Sequence, residues 1–183
     1  MTPLLRFERV TCRRGGRLLF EDVDLGVGPG DALQVVGPNG SGKSSLIRLA
    51  AGLLRPESGR VEAARLALAD DTLALDRELA LERALSWWGG DVAGAIAALG
   101  LDELAKVPVA LLSAGQRKRA VLARVAASGS PLWLLDEPAN ALDSHSPDLL
   151  AAAIDRQRAS GGAILAASHA PLAGEWRTLE LGR

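Results

Sequence analysis

The stretch Ala32-Leu33-Gln34-Val35-Val36-Gly37-Pro38-Asn39-Gly40-Ser41-Gly42-Lys43-Ser44 decides the fold. Five largely apolar residues read as a short buried strand, and the strand ends at Gly37. The next eight residues, Gly37 to Ser44, fit the phosphate-binding loop pattern in full. Behind them, 44–51 reads as a helix with Leu46, Ile47, Leu49 and Ala50 on its apolar side and Gly52 as its stop. Strand, glycine-rich loop and helix in that order let successive N–H groups converge on one anion, and the helix N-terminus adds positive potential. Lys43 is a point charge suited to β- and γ-phosphates, and Ser44 offers a hydroxyl to Mg²⁺. The nucleotide-binding set runs through Gly37, Pro38, Asn39, Gly40, Ser41, Gly42, Lys43, Ser44 and Ser45.

Short β-like runs alternate with helical stretches on both sides of this unit, which predicts an α/β fold with a largely parallel sheet. Strands are expected at 4–10 and 17–20, more strand within 60–69, then 132–135 and Ala163–Ala167. Helices are expected at 77–88, 91–99, 115–127 and 147–159. The helices between about 72 and 128 interrupt the α/β pattern and read as a helical subdomain inserted in one domain spanning 1–183. The length of 183 residues suits a single core. A net charge of −1 with interspersed signs gives no reason to expect nucleic-acid binding. One cysteine, Cys12, excludes a disulfide framework and suits a reducing compartment. No apolar run reaches membrane-span length, so a membrane link is expected to pass through a partner.

Two further motifs carry chemistry. In Leu132-Trp133-Leu134-Leu135-Asp136-Glu137-Pro138, four apolar residues deliver two acids to the carboxyl end of a strand, where open α/β sheets bind ligands. Asp136 is placed to hold Mg²⁺ through its water shell, and Glu137 to polarise an attacking water as general base. In Leu112-Ser113-Ala114-Gly115-Gln116, Ser113 reads either as an ordinary helix N-cap or as part of a second anion site.

Together with Ala141-Leu142-Asp143 and Ser168-His169, these motifs, in this order, resemble an ABC-type ATPase domain over nearly the whole chain. The resemblance implies the P-loop core of that family with its antiparallel β portion at the N-terminus. It implies a head-to-tail homodimer with two ATP molecules between subunits. Ser113, Ala114, Gly115 and Gln116 of one chain would then face the γ-phosphate held by Lys43 of the other. His169 would contact that phosphate, and Asp143 would link the two sites across the interface. His145 has no such assignment and reads as a surface residue.

Two positions depart from the pattern. The family usually stacks an aromatic residue on adenine, whereas the matching stretch here is Thr11-Cys12-Arg13-Arg14-Gly15-Gly16. A guanidinium plane can take that place, which makes Arg14, or Arg13, the candidate; two solvated arginines are the alternative. Where the family has a metal-sensing Gln, this sequence has Asp70-Asp71.

Within the family, the Cys12 and Leu18-Leu19-Phe20 strings, the Ser-Ala-Gly-Gln signature, Gly161-Gly162 and His169-Ala170-Pro171-Leu172 are similar to ATP-binding subunits of cytochrome c maturation heme exporters. That resemblance implies a subunit held at the cytoplasmic face of a bacterial inner membrane by integral membrane subunits. The alternatives are the ATPase of another small exporter and a soluble ABC protein acting apart from transport. Trp87-Trp88 is open between an interface anchor and core packing.

Overall fold

The structure is a computed structural model that describes residues 2–142 and 146–182. Two sheets organise the chain. Strands β1 (Leu5–Arg14), β2 (Arg17–Val27) and β4 (Ser58–Ala63) form an antiparallel sheet in the order β2-β1-β4. Strands β5 (Leu66–Ala69), β6 (Leu132–Asp136), β7 (Ala163–Ala167), β3 (Ala32–Val36) and β8 (Arg177–Glu180) form a parallel sheet in the order β5-β6-β7-β3-β8.

The three central strands of the parallel sheet, β6, β7 and β3, are buried on both faces and are therefore apolar almost without alternation. Period-two geometry still sorts their side chains. Leu132 and Leu134 join Leu33, Val35, α1 (Lys43–Ala50) and the antiparallel sheet in one core. Trp133, Leu135, Ile164 and Ala166 point the other way, into a core shared with α2 (Leu81–Ser86), α3 (Val92–Ala98), α4 (Ala114–Ala127) and α5 (Ser146–Ala159). The helices between β5 and β6 pack on one another, and α4 also rests on β5 and α5.

The structure shortens one expected helix. Residues 77–80 are not helical, because their carbonyls serve another segment: the amides of Val109 and Ala110 bond to Leu79 and Arg77, and Ala80 bridges Pro108. Tertiary pairing there outweighs local helix propensity. The first two strands run further than expected, to Arg14 and Val27. Trp87 is 88% exposed, so it is not core packing, and Trp88, also exposed, lies under the Arg124 guanidinium at 4.6 Å from the ring centroid. Cys12 is fully buried.

Candidate nucleotide site

The carboxyl ends of β3, β6 and β7 meet at one edge of the parallel sheet, the place where such sheets receive ligands. From β3 the chain enters the loop 37–42. Gly37 has φ +147°, and a Cβ there would stand 2.3 Å from the carbonyl oxygen of Leu181, so no side chain fits without moving backbone. The loop closes with a Ser41 N–H donated to Pro38 O at 3.2 Å, and α1 begins after Gly42, whose φ of +107° makes the final bend. No side chain caps α1, which leaves its first amides open to an anion. Lys43 is buried, and its ammonium donates to the carbonyls of Gly37 (2.9 Å) and Pro38 (3.2 Å). It pairs with the loop rather than with a carboxylate, a position from which it can turn to phosphate oxygens.

Ser44, one residue on, donates its hydroxyl to Asp136 Oδ1 at 3.0 Å across 92 positions of sequence. Burial pushes the Asp136 carboxyl above the usual carboxylate range; the Ser44 bond opposes this, Glu137 and Asp71 add to it, and Arg48 lowers it. Glu137 continues the ladder past β6 by donating its N–H to Ala167 O at 2.8 Å. Its φ of +47° is left-handed, an uncommon strained state for a glutamate and the kind found at functional sites. That bend brings Glu137 Oε2 to 2.9 Å from His169 Nδ1. A cavity of about 480 Å³ is lined by Arg14, Leu19, Asn39, Gly40, Gly42, Lys43, Ser44, Ser45 and Glu137.

The hairpin before the loop separates the two arginine candidates. Arg13 is committed to Glu57 (2.9 Å) and to Gly16 O (3.2 Å). Arg14 lines the phosphate cavity instead. Arg17, its cross-strand neighbour, lies beside Gly40: a Cβ on that glycine would meet its guanidinium at 3.8 Å. The sequence reading did not single out Arg17, and the Arg14–Arg17 register of the hairpin is the signal that could have found it.

At the start of α4, Ser113 is first of all a helix cap. Its hydroxyl accepts from Gln116 N (3.2 Å), and Gln116 Oε1 accepts from Ser113 N (2.8 Å), a reciprocal capping box. None of Ser113, Ala114, Gly115 and Gln116 lines the phosphate cavity of its own chain. Ala114 instead borders a second cleft with Asp70, Asp71, Arg77, Arg117, Lys118 and Asn140. Lys118 is a residue that the sequence reading missed. Its Nζ donates to the main-chain oxygen of Asp136 at 3.4 Å. Burial pulls its ammonium below the usual lysine range, and the charges of Asp71, Asp136, Asp70 and Glu137 pull it back up. Asp143 and His145 lie outside the described residues.

Comparison with known proteins places this geometry. Residues 20–140 match the ABC transporter family. The cytochrome c biogenesis ATP-binding export protein CcmA of Sphingopyxis alaskensis is 56% identical over 181 residues, covering 94% of this chain and 93% of that protein. The chain belongs to the CcmA family of ABC transporter ATP-binding proteins. Its CcmA relatives from Novosphingobium aromaticivorans and Zymomonas mobilis are 56% and 51% identical, over 90% and 94% of this chain and 87% and 81% of theirs. Among solved structures, a dimeric ATP-binding cassette in a post-hydrolysis state, bound to ADP and Pi, superposes with a TM-score of 0.83 at 21% identity, over 97% of this chain and 94% of that one.

ATPases of the ABC family use nucleotide with a divalent metal. The residues of this CcmA-family chain fit such an ion. Ser44 Oγ and Asp136 Oδ1 are hard oxygen donors placed together at the foot of the phosphate loop. Two protein oxygens suit a small hard cation that keeps water and phosphate as its other ligands.

Proposed function

We propose that this chain hydrolyses ATP to drive an export complex that serves cytochrome c biogenesis, through heme delivery beyond the cytoplasm. The carrying observation is the convergence of Lys43, Ser44, Asp136, Glu137 and His169 at one sheet edge. The open amides of α1 and the Lys43 ammonium bind the β- and γ-phosphates. Arg14 covers the adenine and Arg17 lies along the phosphates by Gly40. Ser44 and Asp136 hold Mg²⁺, which when bound neutralises charge on the phosphates. Glu137 orients a water molecule and takes its proton. His169 donates Nδ1–H to Glu137, fixes the carboxylate, and turns its other ring nitrogen toward the γ-phosphate.

One chain does not complete the site. Ser113, Ala114, Gly115 and Gln116 serve the ATP of a second copy, and Asp143 joins the two sites. No helix among the described residues is long and apolar enough to cross a membrane. The complex therefore takes its membrane passage from integral subunits, to which this chain attaches at the cytoplasmic face of the inner membrane. In a strain lacking the gene, wild-type chain restores holo-cytochrome c and Lys43→Ala does not; equal restoration by Lys43→Ala would overturn the reading. The same strain also tests the partner, because the chain should co-purify with a heme-handling membrane protein.

A further inference from the structure

Lys118 stands outside the set that hydrolyses ATP, yet it touches the strand that carries the metal carboxylate. It sits just over one turn into α4, the helix whose first residues are the signature motif. Its bond is to the Asp136 main-chain oxygen, so the Asp136 carboxylate stays free for Ser44. The neighbouring carboxylates have other partners: Asp70 accepts from Thr72 N at 2.9 Å, and Glu137 is engaged with His169. Lys118 thus shares one cleft with Asp70 and Asp71 and reaches the Asp136 main chain from it.

Resting on the ATPase reading above, we infer that Lys118 tunes the divalent-cation site, its positive charge holding down the metal affinity of the carboxylates around it. Two consequences follow from Coulomb's law. With α4 seated, the ammonium repels an incoming cation and prevents these carboxylates from trapping it. Displacing α4 by the few ångströms needed to break a 3.4 Å contact removes that repulsion. Metal grip is thereby tied to the seating of the helix that serves the partner subunit's nucleotide.

The test compares Lys118→Met, Lys118→Gln and Lys118→Arg in the full chain loaded with ADP. Mn²⁺ binding is followed by the loss of the free-ion EPR signal, and ADP affinity is measured separately in EDTA. Removal of one charge at this range should tighten Mn²⁺ binding about 3- to 10-fold in the Met and Gln variants. The Arg variant should stay near wild type, and metal-free ADP affinity should be unchanged in all three. A purely structural lysine predicts the opposite sign, because a misplaced Asp136 binds metal more weakly. Unchanged or weaker Mn²⁺ binding in the Met and Gln variants, both confirmed folded by thermal melting, overturns the inference. The readout is a ratio between variants without turnover. Failure of the wild-type chain to hydrolyse ATP would instead count against the ATPase reading.

Discussion

Replacing Glu137 with Gln removes the proposed base while leaving nearly everything else in place. The backbone N–H of residue 137 still reaches Ala167 O, and φ stays at +47° because the two side chains have the same shape. The amide oxygen still accepts from His169 Nδ1, so the 2.9 Å contact survives. Glu137 bonds neither to Lys43 nor to Ser44, so phosphate binding should persist. What disappears is the carboxylate proposed to take the proton from water. Such a group contributes about 10²- to 10⁴-fold, or roughly 3–5 kcal/mol of barrier. The expected result is kcat lower by that factor, ATP affinity within about 2-fold and Tm within about 2 °C of wild type. Phosphate release at saturating Mg-ATP, nucleotide binding and size-exclusion chromatography read the three quantities, and ATP should hold the variant as a dimer. A companion variant, Glu137→Gly, should lose turnover equally yet melt no lower than wild type, because glycine adopts this φ without strain. A Gln variant with kcat within 3-fold of wild type would refute the role of Glu137.

Five other substitutions separate the remaining parts. Gly37→Ala places a Cβ 2.3 Å from Leu181 O, and strain plus overpacking should cost about 4 kcal/mol, lowering Tm by roughly 12 °C. Gly52→Ala meets nothing within 4 Å at φ +70° and should cost only about 1.5 kcal/mol; equal melting losses would remove the clash argument. Asp136→Asn should abolish Mg-dependent turnover and stabilise the nucleotide-free chain at neutral pH, because burial raises the native pKa of Asp136. The penalty of the ionised acid exists above that pKa and vanishes as pH falls through it, so the Tm advantage of the variant should shrink on acidification; an advantage that grows in acid would contradict it. Arg14→Ala should weaken ATP binding about 2- to 5-fold through loss of a guanidinium–adenine stack, whereas Arg13→Ala, whose guanidinium is held by Glu57, should not; equal effects in a titration would deny Arg14 that place.

The sequence by itself determined the parts whose chemistry is written in neighbouring residues. A phosphate loop needs its glycines, Lys43 and Ser44 within one turn of chain, and β6 must be apolar up to Asp136 because it is buried on both faces. Spacing and local periodicity therefore suffice for both, and for the start of α4 at Ser113. Other features had no local signal. The Arg177–Glu180 strand is short and mostly polar, and only its pairing with β3 makes it a strand. Residues 77–80 lose their helix to amides some thirty positions away. The Ser44–Asp136 and Glu137–His169 contacts exist because parallel pairing of β6 with β7, and of β7 with β3, brings three strand ends to one edge. Arg14 and Arg13 are adjacent in sequence, yet the alternation of a strand sends one to the phosphate cavity and the other to Glu57. The Arg117-Lys118-Arg119 run is plain in the sequence, but the packing of α4 alone decides that its middle residue faces the acids. Sequence specifies which groups are available, and long-range strand order and helix seating decide which of them meet, because those contacts depend on the global packing of elements far apart in the chain.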